Sequence, residues 1–94
     1  MACQKLTAAV IGRVQGVGFR YFVMELAVEL ELKGWVTNHP DGSVRCEAVG
    51  SEGALRVFLN ALKEGPAGSQ VEEVTHFFEP CDPDEFPDFR VKRF

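Results

Sequence analysis

Apolar and polar positions along this chain change period several times, and each change marks an element. Lys5 to Arg13 holds a nearly continuous apolar core, Leu6-Thr7-Ala8-Ala9-Val10-Ile11, which predicts a strand well inside a sheet. From Arg20 to Leu32 the period becomes helical. Phe22, Leu26 and Leu30 recur every four residues with Val23 and Ala27 beside them, while Glu25, Glu29 and Lys33 take the opposite side. Gly34 reads as the stop of that helix. Trp35 to Asn38 is a short strand, and Pro40-Asp41-Gly42 has the chemistry of a tight turn. Ser43 to Val49 is the return strand, with Val44, Cys46 and Ala48 alternating with Arg45 and Glu47. Ser51 can cap a second helix, on which Leu55, Phe58, Leu59 and Leu62 form an apolar stripe before Gly65-Pro66 ends it. Val71 to Phe78 reads as a fourth strand. Pro80, Pro83 and Pro87 exclude regular structure between them, and Phe89 to Phe94 closes the chain as a short strand. The order β-α-β-β-α-β plus a terminal strand is a split βαβ pattern. It predicts an α+β architecture with two helices on one face of a mainly antiparallel sheet.

One stretch carries candidate chemistry. Gly12-Arg13-Val14-Gln15-Gly16-Val17-Gly18-Phe19-Arg20 joins the first strand to the first helix. A strand, a glycine loop and a helix N-terminus together form an anion-binding geometry. No Ser, Thr, Asp or Asn stands before Arg20 to cap the helix, so its first N–H groups lack a side-chain acceptor. An arginine in the first turn opposes the helix dipole by about 0.3–1 kcal/mol. An anion held between the two would reverse that sign, and a guanidinium grips two oxygens of a phosphate or carboxylate at once. A plain tight turn with a solvated Arg20 fits the same residues. A Walker A loop is excluded because no Gly-Lys-Ser/Thr follows the spacer. The dinucleotide fingerprint would need glycine where Tyr21 stands.

Composition narrows the class. The 94 residues suggest one domain spanning 1–94, and 46% hydrophobic content with 8 Phe is enough for one core. No segment approaches the roughly 20 apolar residues of a membrane span, and the first residues lack the apolar region of a signal peptide. These features predict a cytoplasmic protein. A net charge of −4 argues against a nucleic-acid partner. Cys3, Cys46 and Cys81 form no Cys-x-x-Cys pair, and an odd count predicts free thiols in a reducing compartment. Cys46 sits in a strand pattern and reads as a small core residue. His39 and His76 lack metal-ligand spacing with any of the cysteines.

Residues 12–20 resemble the first signature of the acylphosphatases. Gly34-Trp35-Val36-Thr37-Asn38-His39-Pro40-Asp41-Gly42-Ser43-Val44 resembles the second, and the resemblance extends over essentially the whole chain. It implies a ferredoxin-like two-layer sandwich and hydrolysis of the carboxyl-phosphate bond of small acyl phosphates. It implies that Arg20 binds the phosphate with the main-chain N–H groups of Gln15, Gly16, Val17, Gly18, Phe19 and Arg20, and that Asn38 positions the attacking water. It implies no metal or other cofactor. The partners it implies are a small acyl phosphate and, in the loop, inorganic phosphate or another anion; a small monomer is the default for a chain of this size, and charge and the lack of a long apolar segment argue against nucleic acid and membrane.

So few groups can suffice for this reaction. The leaving carboxylate has a conjugate acid of pKa near 4 and needs no general acid. Phosphoryl transfer depends on positioning and charge stabilisation. An amide can aim a water but is too weak a base to deprotonate it; the substrate itself is one candidate to take the proton. Asn38 also has a plainer role, as a cap of the following turn. His39 reads as a surface histidine, Phe19 and Tyr21 as packing residues, and Asp41 and Gly42 as structural. Two rivals remain. One is a non-catalytic module, since acylphosphatase-like domains also occur within the hydrogenase-maturation carbamoyltransferases, although a 94-residue chain favours a free enzyme. The other is an RNA-binding ferredoxin-like domain, which would need aromatics on a strand where this chain has Leu6 to Val10.

Overall fold

A computed structural model describes residues 3–93. The elements run β1 (Gln4–Arg13), α1 (Phe19–Glu29), β2 (Lys33–Asn38), β3 (Val44–Gly50), α2 (Glu52–Glu64), β4 (Gln70–Pro80) and β5 (Phe89–Lys92). They form one five-stranded sheet of order β4-β1-β3-β2-β5. Every neighbouring pair is antiparallel except β2 with the short edge strand β5. Helix α1 packs mainly over β2 and β5, and α2 over β1, β4 and β3. This is the α+β two-layer sandwich that the element order predicts.

The core lies between the helices and one face of the sheet. Leu6 and Val10 of β1, Val36 of β2, and Val44 and Cys46 of β3 meet Phe19, Val23 and Ala27 of α1 and Leu55, Phe58 and Leu62 of α2. Strand alternation sends every second residue to the opposite, uncovered face. Ile11, at 39% exposure, and Phe77, at 56%, lie exposed there. The apolar run of β1 thus marks a strand flanked on both edges but covered on one face only.

The buried stripe of α1 is Phe19, Val23 and Ala27, with Phe22, Leu26 and Leu30 packed at its margin. The predicted stripe lay one residue away, a rotation of about 100° on a helix of 3.6 residues per turn. Tyr21, expected to pack, is 58% exposed on the far side. The helix also ends earlier than predicted. Leu30 is its C-cap and Glu31 takes the left-handed conformation at φ 59°, a role usually given to glycine. Gly34 lies inside β2 instead. A Cβ there would fall on the backbone carbonyl of Glu47 in β3, so glycine is required by the close approach of two strands rather than by a helix end.

The cysteine expectation is overturned. Cys3 and Cys81 form a disulfide with a Cα–Cα separation of 5.6 Å. The cause is strand register: Gln4 pairs with Pro80 across β1 and β4, so the flanking residues 3 and 81 stand opposite each other. A separation of 78 residues hides that proximity in the sequence, and the bond removes the thiol-count argument for a reducing compartment. Cys46 remains a free, fully buried thiol. Lys5 Nζ meets Glu85 Oε2 at 2.8 Å and ties the acidic connection to the same end of β1.

Two measurements check this architecture. Phe58→Ala should destabilise the fold by about 3–5 kcal/mol, and Phe77→Ala by under about 0.5 kcal/mol, in denaturant titrations. Thiol titration of the unfolded, unreduced chain should count one group, rising to the full three after reduction; three at the outset would contradict the bridge.

Candidate active site

The loop between β1 and α1 is anchored by Val14, 1% exposed in the core. Beyond it Gly16 and Gly18 adopt φ of 76° and 77°. A side chain at either position would meet open space, so the left-handed backbone, not crowding, selects glycine. Left-handed residues interspersed in this way turn successive N–H groups toward one concavity. Gly18 is the N-cap of α1 and supplies no side-chain hydrogen bond, and no acidic residue occupies the first turn. The first intrahelical bond runs from Phe22 N–H to the Gly18 carbonyl at 3.1 Å. The N–H groups ahead of it have no intrahelical acceptor. Helix α2 shows the ordinary solution in the same chain: the Ser51 side chain accepts from Ala54 N–H, and Glu52 sits in the first turn. Arg20 is half-buried and, among the described residues, forms no hydrogen bond or ion pair.

Asn38 is the last residue of β2 and pairs with Val44 at the end of β3. Alternation along β2 places it on the same side as core residue Val36, whereas Trp35 and Thr37 line a cavity on the uncovered face. Its Oδ1 is buried and has no hydrogen-bond partner among the described residues. Such an unsatisfied acceptor costs about 1–3 kcal/mol. The turn does not use it, because Asp41 does the capping. The Asp41 carboxylate accepts from Ser43 N–H at 2.9 Å, from Ser43 Oγ at 2.6 Å and from Arg45 Nη2 at 2.7 Å. The Ser43 hydroxyl and N–H, then Arg45 and His39, hold its pKa well below the ordinary 3.8. His39 is half-buried rather than a free surface residue. Its Nδ1 accepts from Asp41 N–H at 3.2 Å.

One residue joins the two halves. The Gln15 side-chain amide donates from Nε2 to the His39 carbonyl at 2.7 Å and to the Ser43 carbonyl at 3.0 Å. The loop is thereby fastened to the turn that follows Asn38. The signature sequence pointed to Gln15 only for its main-chain N–H. A lone polar side chain among glycines was the available signal, and its partners lie 24 and 28 residues away.

A cavity of about 460 Å³ lies elsewhere. Trp35, Thr37, His39, Arg45, Lys92 and Arg93 line it, without Arg20, Asn38 or the glycine loop. Cys46 offers no nucleophile, since burial pushes its thiol up to about 12. The site thus consists of unpaired backbone N–H groups and a cation on one side, and an unpaired amide oxygen on the other. That arrangement suits an anion and a water rather than a covalent intermediate.

The acylphosphatase family model matches residues 6–91. The chain belongs to the acylphosphatase family. An acylphosphatase from Nitratidesulfovibrio vulgaris is 46% identical over 86 residues, covering 92% of this chain and 86% of the relative. The crystal structure of acylphosphatase from Bacillus subtilis superposes with a TM-score of 0.89 at 38% identity, covering 95% and 98% of the two chains. The fold also occurs inside a longer protein. A full-length HypF in its phosphate- and nucleotide-bound form matches 96% of this chain but only 12% of its own, with a TM-score of 0.83 and 32% identity. This acylphosphatase hydrolyses the carboxyl-phosphate bond of acyl phosphates.

The depressed pKa of Asp41 sets a pH test for this acylphosphatase. A carboxylate whose folded-state pKa is lowered stabilises the fold above its unfolded value of 3.8, and that stability is lost as pH falls through the folded value. Asp41→Asn should therefore destabilise near neutral pH. The gap in urea midpoint between wild type and variant should narrow progressively below pH 3.8. A gap that stays constant down to about pH 2 would contradict the assignment.

Proposed function

We propose that the glycine loop and Arg20 hold the phosphoryl group of a small acyl phosphate while Asn38 aims the attacking water at it. The observation that carries this reading is the double hydrogen bond of Gln15, which draws the anion loop and the strand end bearing Asn38 to one end of the sheet. The N–H groups of residues 15–20 and the Arg20 guanidinium face charge that grows on the equatorial phosphoryl oxygens. The unpartnered Oδ1 of Asn38 accepts one hydrogen bond from water and fixes its line of approach. Water oxygen bonds to phosphorus as the phosphorus–oxygen bond to the acyl group breaks, and the carboxylate departs with that electron pair. The water proton passes to a phosphoryl oxygen, because no protein base is required when the leaving group is so weakly basic. All these groups belong to one chain, so a monomer suffices.

The two residues should fail in different ways. With benzoyl phosphate, folded Arg20→Gln and Asn38→Ala should each lose about 10²–10³ in kcat/KM. Arg20→Gln should also weaken inhibition by orthophosphate, whereas Asn38→Ala should leave that inhibition within about threefold. Orthophosphate should raise the melting temperature of wild type and of Asn38→Ala alike, by the usual linkage of ligand to the folded state. Near-wild-type turnover by both variants would overturn the assignment.

A further inference from the structure

We propose that the Gln15 side chain is a positioning group for the hydrolytic step: it sets the separation between the phosphate loop and Asn38, and so acts on the water rather than on phosphate binding. This rests on the assignment of Arg20 and Asn38 above. The β1–β3 ladder ends at the pair Val10 and Val44. Beyond it β1 continues to Arg13 paired with β4 alone, and the β2–β3 ladder ends at Asn38 opposite Val44. Past these points no strand pairing joins the end of β1 to the β2–β3 turn. The phosphate loop grows from one side of that gap and Asn38 stands on the other.

The Gln15 amide spans the gap. A single NH₂ group has two hydrogens, and Nε2 meets two carbonyls, His39 at 2.7 Å and Ser43 at 3.0 Å. Those carbonyls close the turn themselves: His39 N–H donates to Ser43 O at 2.9 Å, and Gly42 N–H to His39 O at 3.0 Å. The Asp41 carboxylate stiffens the same turn through Ser43 and Arg45. Gln15 therefore grips a rigid turn, and His39, whose carbonyl it holds, follows directly on Asn38. Gln15 belongs to the loop whose main chain is assigned to phosphate, so one residue couples the two halves. A change at its side chain keeps the loop N–H groups but releases the spacing. Misplacing reacting groups by about 1 Å can cost 10²-fold in rate.

The test uses the full chain with benzoyl phosphate as substrate and orthophosphate as inhibitor. Gln15→Met keeps the length and removes both donors. It should lower kcat by about 10–100-fold with KM and orthophosphate Ki within about threefold. In an Asn38→Ala background the same change should cost under about threefold, because the group it positions is gone. Gln15→Glu sets a carboxylate against two carbonyl oxygens and should be worse than Gln15→Met. Its rate relative to wild type should recover as pH falls toward about 5, where protonation restores one donor. A folded Gln15→Met with kcat within about twofold of wild type would overturn the proposal. So would a loss carried by Ki, or an equal loss in both backgrounds. If Gln15→Met destabilised the fold, the pH recovery of Gln15→Glu would still decide: a pH-independent deficit contradicts positioning. Asn38→Ala with full activity would instead remove the underlying assignment, whatever Gln15 does.

Discussion

Helix α1 starts on a left-handed glycine without a side chain, and its first-turn N–H groups have no acceptor among the described residues. Everything else at that end of the sheet follows from this constraint. An uncapped N-terminus carries partial positive charge, and the half-buried Arg20 adds a full one without a described carboxylate to neutralise it. The chain tolerates this at α1 while capping α2 conventionally with Ser51. An anion that enters the loop satisfies several unpaired donors at once. On the proposed reading the substrate's phosphoryl group is that anion, and the carboxylate it leaves behind asks little acid–base work of the protein.

The second half of the site is also built on an unpaired group, of the opposite polarity. Asn38 Oδ1 is buried without a partner among the described residues, while Asp41 and Ser43 in the turn are hydrogen-bonded. Asp41 takes over the capping role that asparagine often fills before such a turn, so the turn makes no use of Asn38 Oδ1. The buried acceptor is costly in the resting protein, whereas the loop donors stand where water can reach them. Both persist because the surrounding ladders, the buried Val14 and the Asp41–Ser43–Arg45 bonds hold them in place. Gln15 joins them where the sheet itself no longer does.

Much of this was legible in the residues. Helical and strand periods identify all seven elements, and the Pro-Asp-Gly turn and the Ser51 cap stand at the predicted places. The errors have definite causes. The α1 stripe shifted by one residue because Phe22, Leu26 and Leu30 are apolar enough to fill a margin as well as a centre. Gly34 reads as a helix stop in the sequence because helix ends and close strand approaches both demand glycine, and only the neighbouring Glu47 carbonyl tells them apart. Tyr21 is exposed because packing is set by the face on which the helix lies, and that face carries Phe19, Val23 and Ala27.

By itself, then, the sequence determined the order of elements, the two signature loops and the chemical character of each: donors and a cation in one, an amide before a tight turn in the other. These are local properties, written in residue type and spacing. Tertiary structure decided what meets across the sheet. Antiparallel register brought Cys3 to Cys81, and the fold carried the Gln15 amide to carbonyls more than twenty residues away. Neither of these has a local signature, because the energy of a disulfide or a bridging hydrogen bond depends on atoms that only the folded chain places side by side.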